Sequence, residues 1–173
     1  ISDPGYKLIK DLYASNHYIT SCPGPCSAIN ALSISGLPTD TFTFEGFLPL
    51  KQKDRLEKFE KIRKNQSTTI IFDTGQKVAA TLADLFEYFG DIKIAIIREM
   101  TKKFEERIYQ NITTINSLHH SNPLKGEIVL LIPPQITENE IEYIKSDLNI
   151  LQKDSTNSSK DIVKILAFKY PNL

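Results

Sequence analysis

Short runs of β-branched and other apolar residues alternate along the chain with longer stretches in which apolar residues recur at three- and four-residue spacing. The short runs predict strands at His17–Thr20, Thr41–Glu45, Thr68–Asp73, Ile92–Glu99, Arg107–Gln110 and Glu127–Ile132. The longer ones predict helices at Pro25–Ser35, Lys51–Asn65, Gln76–Phe89, Thr113–His120, Glu138–Leu151 and Ser159–Phe168. Punctuation agrees with the periods. Pro25 suits a first helical turn, Gly36 and Gly90 follow helix ends, and Thr137 with Glu140 forms a capping-box pattern. The step Gly36-Leu37-Pro38 is the expected domain boundary, dividing residues 1–37 from 38–173, and Ser155–Ser159 is a polar linker before the last helix. Strands and helices that keep alternating without long loops predict an α/β fold, a sheet covered by helices.

Composition narrows the classes without choosing among them. With 40% hydrophobic residues in 173, the chain has the apolar material for one moderate core or two small lobes. No run approaches the roughly 18 apolar residues of a membrane span, and no secretory signal pattern is present, so the expected location is the cytoplasm, with no membrane partner. Lysine and arginine number 21 and aspartate and glutamate 21, so no overall field favours polyanions, and any nucleic-acid surface must be local. The most basic stretch is Lys51–Lys64, in which Lys51, Lys53, Arg55 and Lys58 are candidates for contacting RNA phosphates. Its acids Asp54, Glu57 and Glu60 equally permit an ordinary solvated helix with ion pairs at three- and four-residue spacing.

Other candidate chemistry sits at turns. Ile1-Ser2-Asp3-Pro4-Gly5 and Cys22-Pro23-Gly24-Pro25-Cys26-Ser27-Ala28 both read as strand-to-helix turns, whose free N–H groups face a ligand in some proteins and merely connect elements in others. Arg98-Glu99-Met100-Thr101-Lys102 closes a buried-looking strand, where open α/β sheets hold their ligands, although a surface ion-pair cluster gives the same pattern. Cys22 and Cys26 are too few for a disulfide framework. With His17, His119 and His120 they lack metal-ligand spacing, so no metal is expected. His119-His120 before Asn122-Pro123 reads as a helix end in solvent.

Ile1-Ser-Asp-Pro-Gly5, Pro23-Gly-Pro25, Ala31-Leu-Ser-Ile-Ser-Gly-Leu-Pro38 and Phe44-Glu-Gly-Phe-Leu-Pro49 resemble, in order and spacing, the bacterial ribosomal RNA small subunit methyltransferase I family of the tetrapyrrole-methylase superfamily. Thr81-Leu-Ala-Asp-Leu85, Arg98–Lys102 with Glu105, and Lys125-Gly-Glu-Ile-Val-Leu130 extend the resemblance to about Ile132, and Asp161–Leu173 echoes it more weakly. The resemblance implies a tetrapyrrole-methylase-like fold, with the end of a first α/β domain over residues 1–37 and a second α/β domain with a mixed sheet over 38–173. It implies S-adenosylmethionine as cofactor, a homodimer, and small-subunit ribosomal RNA as partner, methylated at a cytidine ribose 2′-oxygen. Carried position by position, the implied cofactor contacts are Ile1, Cys26, Ser27, Asp73, Met100, Thr101 and Glu127. The base that takes the hydroxyl proton stays open among Asp73, Glu99 and Glu127.

The chain departs from the family in three places. The glycine-rich strand-turn and the Gly-Thr-Pro that precede the Ile1 position in the family do not occur in it, and weaker cofactor binding is expected without them. Phe72-Asp-Thr-Gly-Gln-Lys77 stands where Tyr-Glu-Ser-Pro-His-Arg is usual, and Cys26 where serine is usual. Two other readings remain: a methylase of the same superfamily acting on a tetrapyrrole or another small substrate, and a binding or dimerising module without catalysis.

Overall fold

The computed structural model describes residues 5–136, 138–154 and 156–170. In chain order the elements are α1 (Tyr6–Ala14), α2 (Ser27–Ser33), β1 (Phe42–Phe47), α3 (Gln52–Lys64), β2 (Thr68–Thr74), α4 (Val78–Phe89), β3 (Lys93–Arg98), β4 (Glu106–Asn111), α5 (Ile112–His119), β5 (Glu127–Ile132), α6 (Glu138–Lys153) and α7 (Ser159–Lys169). The strands form one mixed sheet in the order β1-β2-β5-β3-β4. β1 runs parallel to β2, and every other neighbouring pair is antiparallel. The carboxyl ends of β1, β2 and β3 therefore share one edge of the sheet with the amino ends of β4 and β5.

β2, β3 and β5 read as nearly unbroken apolar runs because the sheet is covered on both faces, so inward and outward positions are both dry. Ile71, Ile94, Ile96, Ile128, Leu130 and Ile132 face a core closed by Phe59 and Ile62 of α3, Leu82 and Leu85 of α4, and Ile112 and Ile115 of α5. The alternate positions Ile70, Ala95, Ile97, Val129 and Leu131 face a smaller core closed by Ala28, Ala31 and Leu32 of α2 and by Leu37. A one-residue slip of β5 would exchange these two sets, which differ in size, so the unequal volumes of the two cores help set its register.

At the edge, β1 carries a bulge. Phe44 pairs with Ile70 and Gly46 with Ile71, leaving Glu45 without a partner in the ladder. The Glu45 side chain turns under α3, where it accepts a hydrogen bond from Lys58 and lies 3.4 Å from Lys61. Burial pushes the Glu45 carboxyl up, but the lysine hydrogen bonds and charges outweigh that and hold it below the usual range.

The run His17–Thr20 is not a strand: it lies in irregular chain with Tyr18 92% exposed, because no neighbouring strand offers it a ladder. The helix α1 was not foreseen, since Pro4-Gly5 reads as a turn and masks the amphipathic spacing of Leu8, Ile9 and Leu12 that follows. A capping box is present at α7, where Ser158 Oγ accepts from Asp161 N and the Asp161 carboxyl accepts from Ser158 N. The pattern at Thr137 and Glu140, like Ser155 of the linker, involves a residue outside the described ones. Among the described residues no helix is long and apolar enough to cross a membrane.

Candidate functional site

Where β1, β2 and β3 end and β5 begins, the sheet opens into a cavity of about 450 Å³. Its walls are Ser27, Phe47, Phe72 to Thr74, Ile97, Met100, and Glu127 to Val129. The location follows from strand direction, because side chains and free backbone groups beyond the carboxyl ends of strands are not consumed by the ladder. Ser27, Asp73, Met100 and Glu127, nominated from distant parts of the sequence, meet here. Cys26 is half-buried against the α2-side core immediately before Ser27, and Thr101 follows Met100 on the rim. Ile1 lies outside the described residues. Phe47 and Phe72, which supply the apolar walls and meet edge to face at 5.8 Å, were not singled out from sequence. The signal lay in Phe44–Pro49, where an aromatic residue at a strand end is left 56% exposed.

Asp73 is the most constrained polar group in the cavity. It is 7% exposed; Oδ1 accepts the Thr74 N–H at 2.8 Å, and Oδ2 is buried with no partner among the described residues. A buried acceptor without a donor costs about 1–3 kcal/mol, so this oxygen fits a ligand that brings a hydroxyl, amine or other donor.

Glu99 and Glu127, the other two acids, are already engaged. Glu99 Oε1 accepts the Glu127 N–H at 2.9 Å and the Lys102 ammonium at 3.2 Å, while Lys102 also donates to Glu127 Oε2 at 2.9 Å. The Glu127 N–H, then Lys102, hold the Glu99 carboxyl below its usual range, and the two carboxylates hold the Lys102 ammonium above its own. Glu99 and Thr101 both have left-handed backbone, at φ 49° and 64°. Such conformations in non-glycine residues cost about 1–3 kcal/mol and need surroundings that enforce them. Arg98, paired with Glu106 at 2.5 Å and reaching the Lys125 carbonyl at 3.3 Å, is part of that enforcement.

Two glycines let this rim close. A Cβ on Gly126, whose φ is 87°, would stand 2.2 Å from Glu99 Oε1, and one on Gly75 would stand 2.5 Å from the Lys125 Cα. The Gly75 N–H donates to the Gly126 carbonyl at 2.9 Å, tying the turn after Asp73 to the turn before Glu127.

The four basic residues nominated for RNA separate into two kinds. Arg55 is turned inward, its side chain 14% exposed, and pairs with Asp84 of α4 at 2.5 Å. Lys58 is committed to Glu45. Lys51 is exposed at the start of α3 next to the strand end that carries Phe47, and Lys53 is exposed, its one ion pair among the described residues being with Glu57 at 4.0 Å.

A mixed sheet layered between helices, with an aromatic-walled, carboxyl-bearing cavity at its strand ends, defines an α/β domain with a ligand-sized cavity. Residues 1–116 match the sequence profile of the tetrapyrrole (corrin/porphyrin) methylases, and the chain belongs to this family. Enzymes of this family depend on S-adenosylmethionine. The chain is 39% identical over 175 residues to a ribosomal RNA small subunit methyltransferase I of Rickettsia prowazekii, an alignment covering 100% of the chain and 62% of that protein. It is 34% identical over 132 residues to the protein of the same name from Bacillus subtilis, covering 76% of the chain and 45% of that protein. The chain thus spans between about half and three-fifths of the length of these relatives. Its fold is similar to a crystal structure from Entamoeba histolytica assigned as a diphthine synthase. The TM-score is 0.52 at 15% identity, over 81% of this chain and 64% of the other.

Proposed function

We propose that this chain is the part of an S-adenosylmethionine-dependent methyltransferase that carries one wall of the cofactor cavity, and that the enzyme methylates small-subunit ribosomal RNA at a cytidine ribose 2′-oxygen. One observation carries the reading: the orphaned, buried Asp73 oxygen stands in a strand-end cavity where Ser27, Met100 and Glu127 also converge. The names of the relatives supply the substrate class.

In this reading Ser27, Asp73, Met100, Thr101 and Glu127 hold the cofactor, with Cys26 completing its surroundings; Ile1, the remaining position implied by the resemblance, lies outside the described residues. The sulfonium of S-adenosylmethionine supplies an activated methyl group, so what is asked of the protein is orientation and exclusion of water. Phe47 and Phe72 keep water from one side of the cavity. Asp73 Oδ2 accepts a hydroxyl or amine proton through a hydrogen bond, fixing the ligand at the end of β2. The Glu99–Lys102–Glu127 cluster holds the turns around Met100 and Glu127 in place, and Glu99, whose Oε1 already accepts from the Glu127 N–H and from Lys102, acts by positioning these turns. Lys51 and Lys53, free of strong internal pairs, face the RNA. The division of the family's two α/β domains near Leu37 and Pro38 is part of the proposal, with α2 seated on the second domain's sheet. So is a homodimer, for which α1, burying none of its residues in the described chain, offers an apolar surface.

Calorimetric titration of S-adenosylmethionine and its demethylated product tests the reading, in this chain and in a form extended by the segment that precedes the Ile1 position in the family. Saturable binding in at least the longer form is expected, together with transfer of labelled methyl to small-subunit ribosomal RNA that makes one ribose resistant to alkaline cleavage. No binding in either form would refute the methyltransferase reading.

A further inference from the structure

We infer that the opposite edge of the sheet carries a second, separate contact for RNA: a pocket built around Arg63 and Lys93 that takes a backbone phosphate of the same strand. The inference rests on the methyltransferase reading for the identity of the polymer and on the following geometry for the site. The pocket has a volume of about 550 Å³ and lies where β5 ends and β3 begins, walled by Phe89, Tyr109, Pro133 and Pro134. The six-residue β5 connects it to the cofactor cavity, a separation of about 20 Å at the rise of an extended strand.

Among the described residues no acid stands in its walls. The Lys93 ammonium lies 4.1 Å from the Tyr109 ring centroid and the Arg63 guanidinium 6.0 Å from that of Tyr88. Lys93 has no ion pair among the described residues. Arg63 hydrogen-bonds Tyr88 and interacts with the charge of Glu60, the acid one turn before it, which is also bound by the Tyr88 hydroxyl and by Lys64 at 3.0 Å. A ring face orients a cation but leaves its charge unneutralised, so Lys93 remains available to an anion, and Arg63, which shares Glu60 with Lys64, keeps part of its charge for one. Lys61, Arg63 and Lys64 all lie in the last turn of α3, where the negative end of the helix dipole favours cations, and Lys61 and Lys64 are further paired with Glu45 and Glu60. Lys93 is on a strand and has no such role. Gln135 Nε2 donates to the Pro133 carbonyl at 2.7 Å, which holds the connector that forms the outer wall.

Charge along α3 joins this pocket to the cofactor cavity. The helix has 13 residues, about 20 Å by its rise, with Lys51 and Lys53 at the cavity end and Arg63 at the pocket end. A single strand lying along α3 would meet cations at both ends of its path, whereas a mononucleotide or free phosphate would reach one end alone. The shared chemistry is the phosphate oxygen, and polymer length separates the two sources.

The test is fluorescence anisotropy of a labelled single strand from small-subunit ribosomal RNA titrated with the full chain, in parallel with inorganic phosphate and a mononucleotide. Arg63→Glu with Lys93→Glu is expected to weaken RNA binding at least ten-fold. It should also reduce the slope of log affinity against log salt by about 1.4, the loss of two single-strand phosphate contacts at about 0.7 each. Lys93→Gln alone, a milder change should the double variant unfold, should reduce the slope by about 0.7, and Arg63→Lys with Lys93→Arg should restore binding. An unchanged affinity and slope, with binding lost instead in Lys51→Glu with Lys53→Glu, would overturn the pocket while leaving the methyltransferase reading intact. Equal saturation by inorganic phosphate would overturn the RNA assignment, and wild-type chain that binds no RNA would overturn this inference and count against the RNA substrate as well.

Discussion

Replacing Asp73 by alanine separates the cost of a functional group from its use. In the described chain Oδ1 holds the Thr74 N–H, while Oδ2 is buried and holds nothing. The orphaned acceptor costs about 1–3 kcal/mol and the Thr74 bond returns about 0.5–1.5 kcal/mol. Removing both changes the unfolding free energy by between about −0.5 and +2.5 kcal/mol. The alanine side chain opens onto an existing cavity and creates no new sealed void, so the penalty usual for truncating a buried residue is absent. At about 2–4 °C per kcal/mol for a chain of this size, the ligand-free protein should melt between about 2 °C lower and 10 °C higher than wild type. Most buried substitutions shift stability the other way.

Binding should move in the opposite direction. A hydrogen bond from a ligand donor to a buried carboxylate is worth about 1.5–3 kcal/mol, so affinity for the cofactor or its demethylated product should fall by about 10- to 150-fold. Thermal melts of wild type and Asp73→Ala, each with and without the demethylated product, read both quantities at once in the longest form that binds. A variant that melts more than about 5 °C lower when ligand-free, yet keeps its full ligand-induced shift, would refute the assignment. Asp73 would then be a structural acid whose missing partner lies elsewhere.

Three further outcomes follow from the geometry. Gly126→Ala should destabilise the chain by more than about 1 kcal/mol, because the left-handed φ disfavours a side chain and the new Cβ would displace Glu99; denaturant midpoints check the stability, and hydrogen exchange should quicken around 99–102. Asp91, held below the usual carboxyl range first by the Thr113 backbone N–H and then by the Thr113 hydroxyl, and Glu99, held down first by the Glu127 N–H, both have lowered folded values. Their contributions are present above the unfolded range near pH 4 and are lost as pH falls through the folded values, so melting temperature should be level from about pH 7 to 5 and drop below about 4, less steeply in Asp91→Asn. Arg55→Gln and Lys58→Gln should lower the melting temperature, the first by leaving Asp84 unpaired and the second by leaving Glu45 with Lys61 alone, and should change RNA affinity less than about two-fold, whereas Lys51→Glu with Lys53→Glu should weaken RNA binding with little loss of stability.

The contrast within α3 shows where sequence reasoning stops. Periodicity found the helix, and it found β2, β3 and β5, because two-sided burial writes an apolar run into each strand. It could not show that β5, last of the strands in the chain, inserts between β2 and β3, since strand order depends on which pairings close the two cores. That insertion sets Glu127 opposite Thr74, beside Asp73, and bonds its carbonyl to the Glu99 N–H, beside Met100, so the cavity was legible as a set of positions, through the resemblance, but not as an enclosure. The orphaned oxygen of Asp73 was not legible at all, being a property of what fails to approach it.

The same reason divides the basic residues. Arg55 and Lys58 read from sequence like Lys51 and Lys53, and what separates them is two carboxylates supplied from elsewhere in the chain: Asp84 from α4, and Glu45 from a bulge that no local pattern announces. Cations on the inner side of α3 are thereby consumed in holding α3 to α4 and to the sheet edge. Lys53 and Lys64 on its outer side instead meet a glutamate one turn away along the helix, a pairing worth only about 0.2–0.5 kcal/mol that salt or a phosphate readily displaces. Under the proposed RNA reading an external polyanion would be met by the outer residues and by Lys93, whose ring partner cannot neutralise it, and the net charge of zero conceals this because it counts both kinds alike.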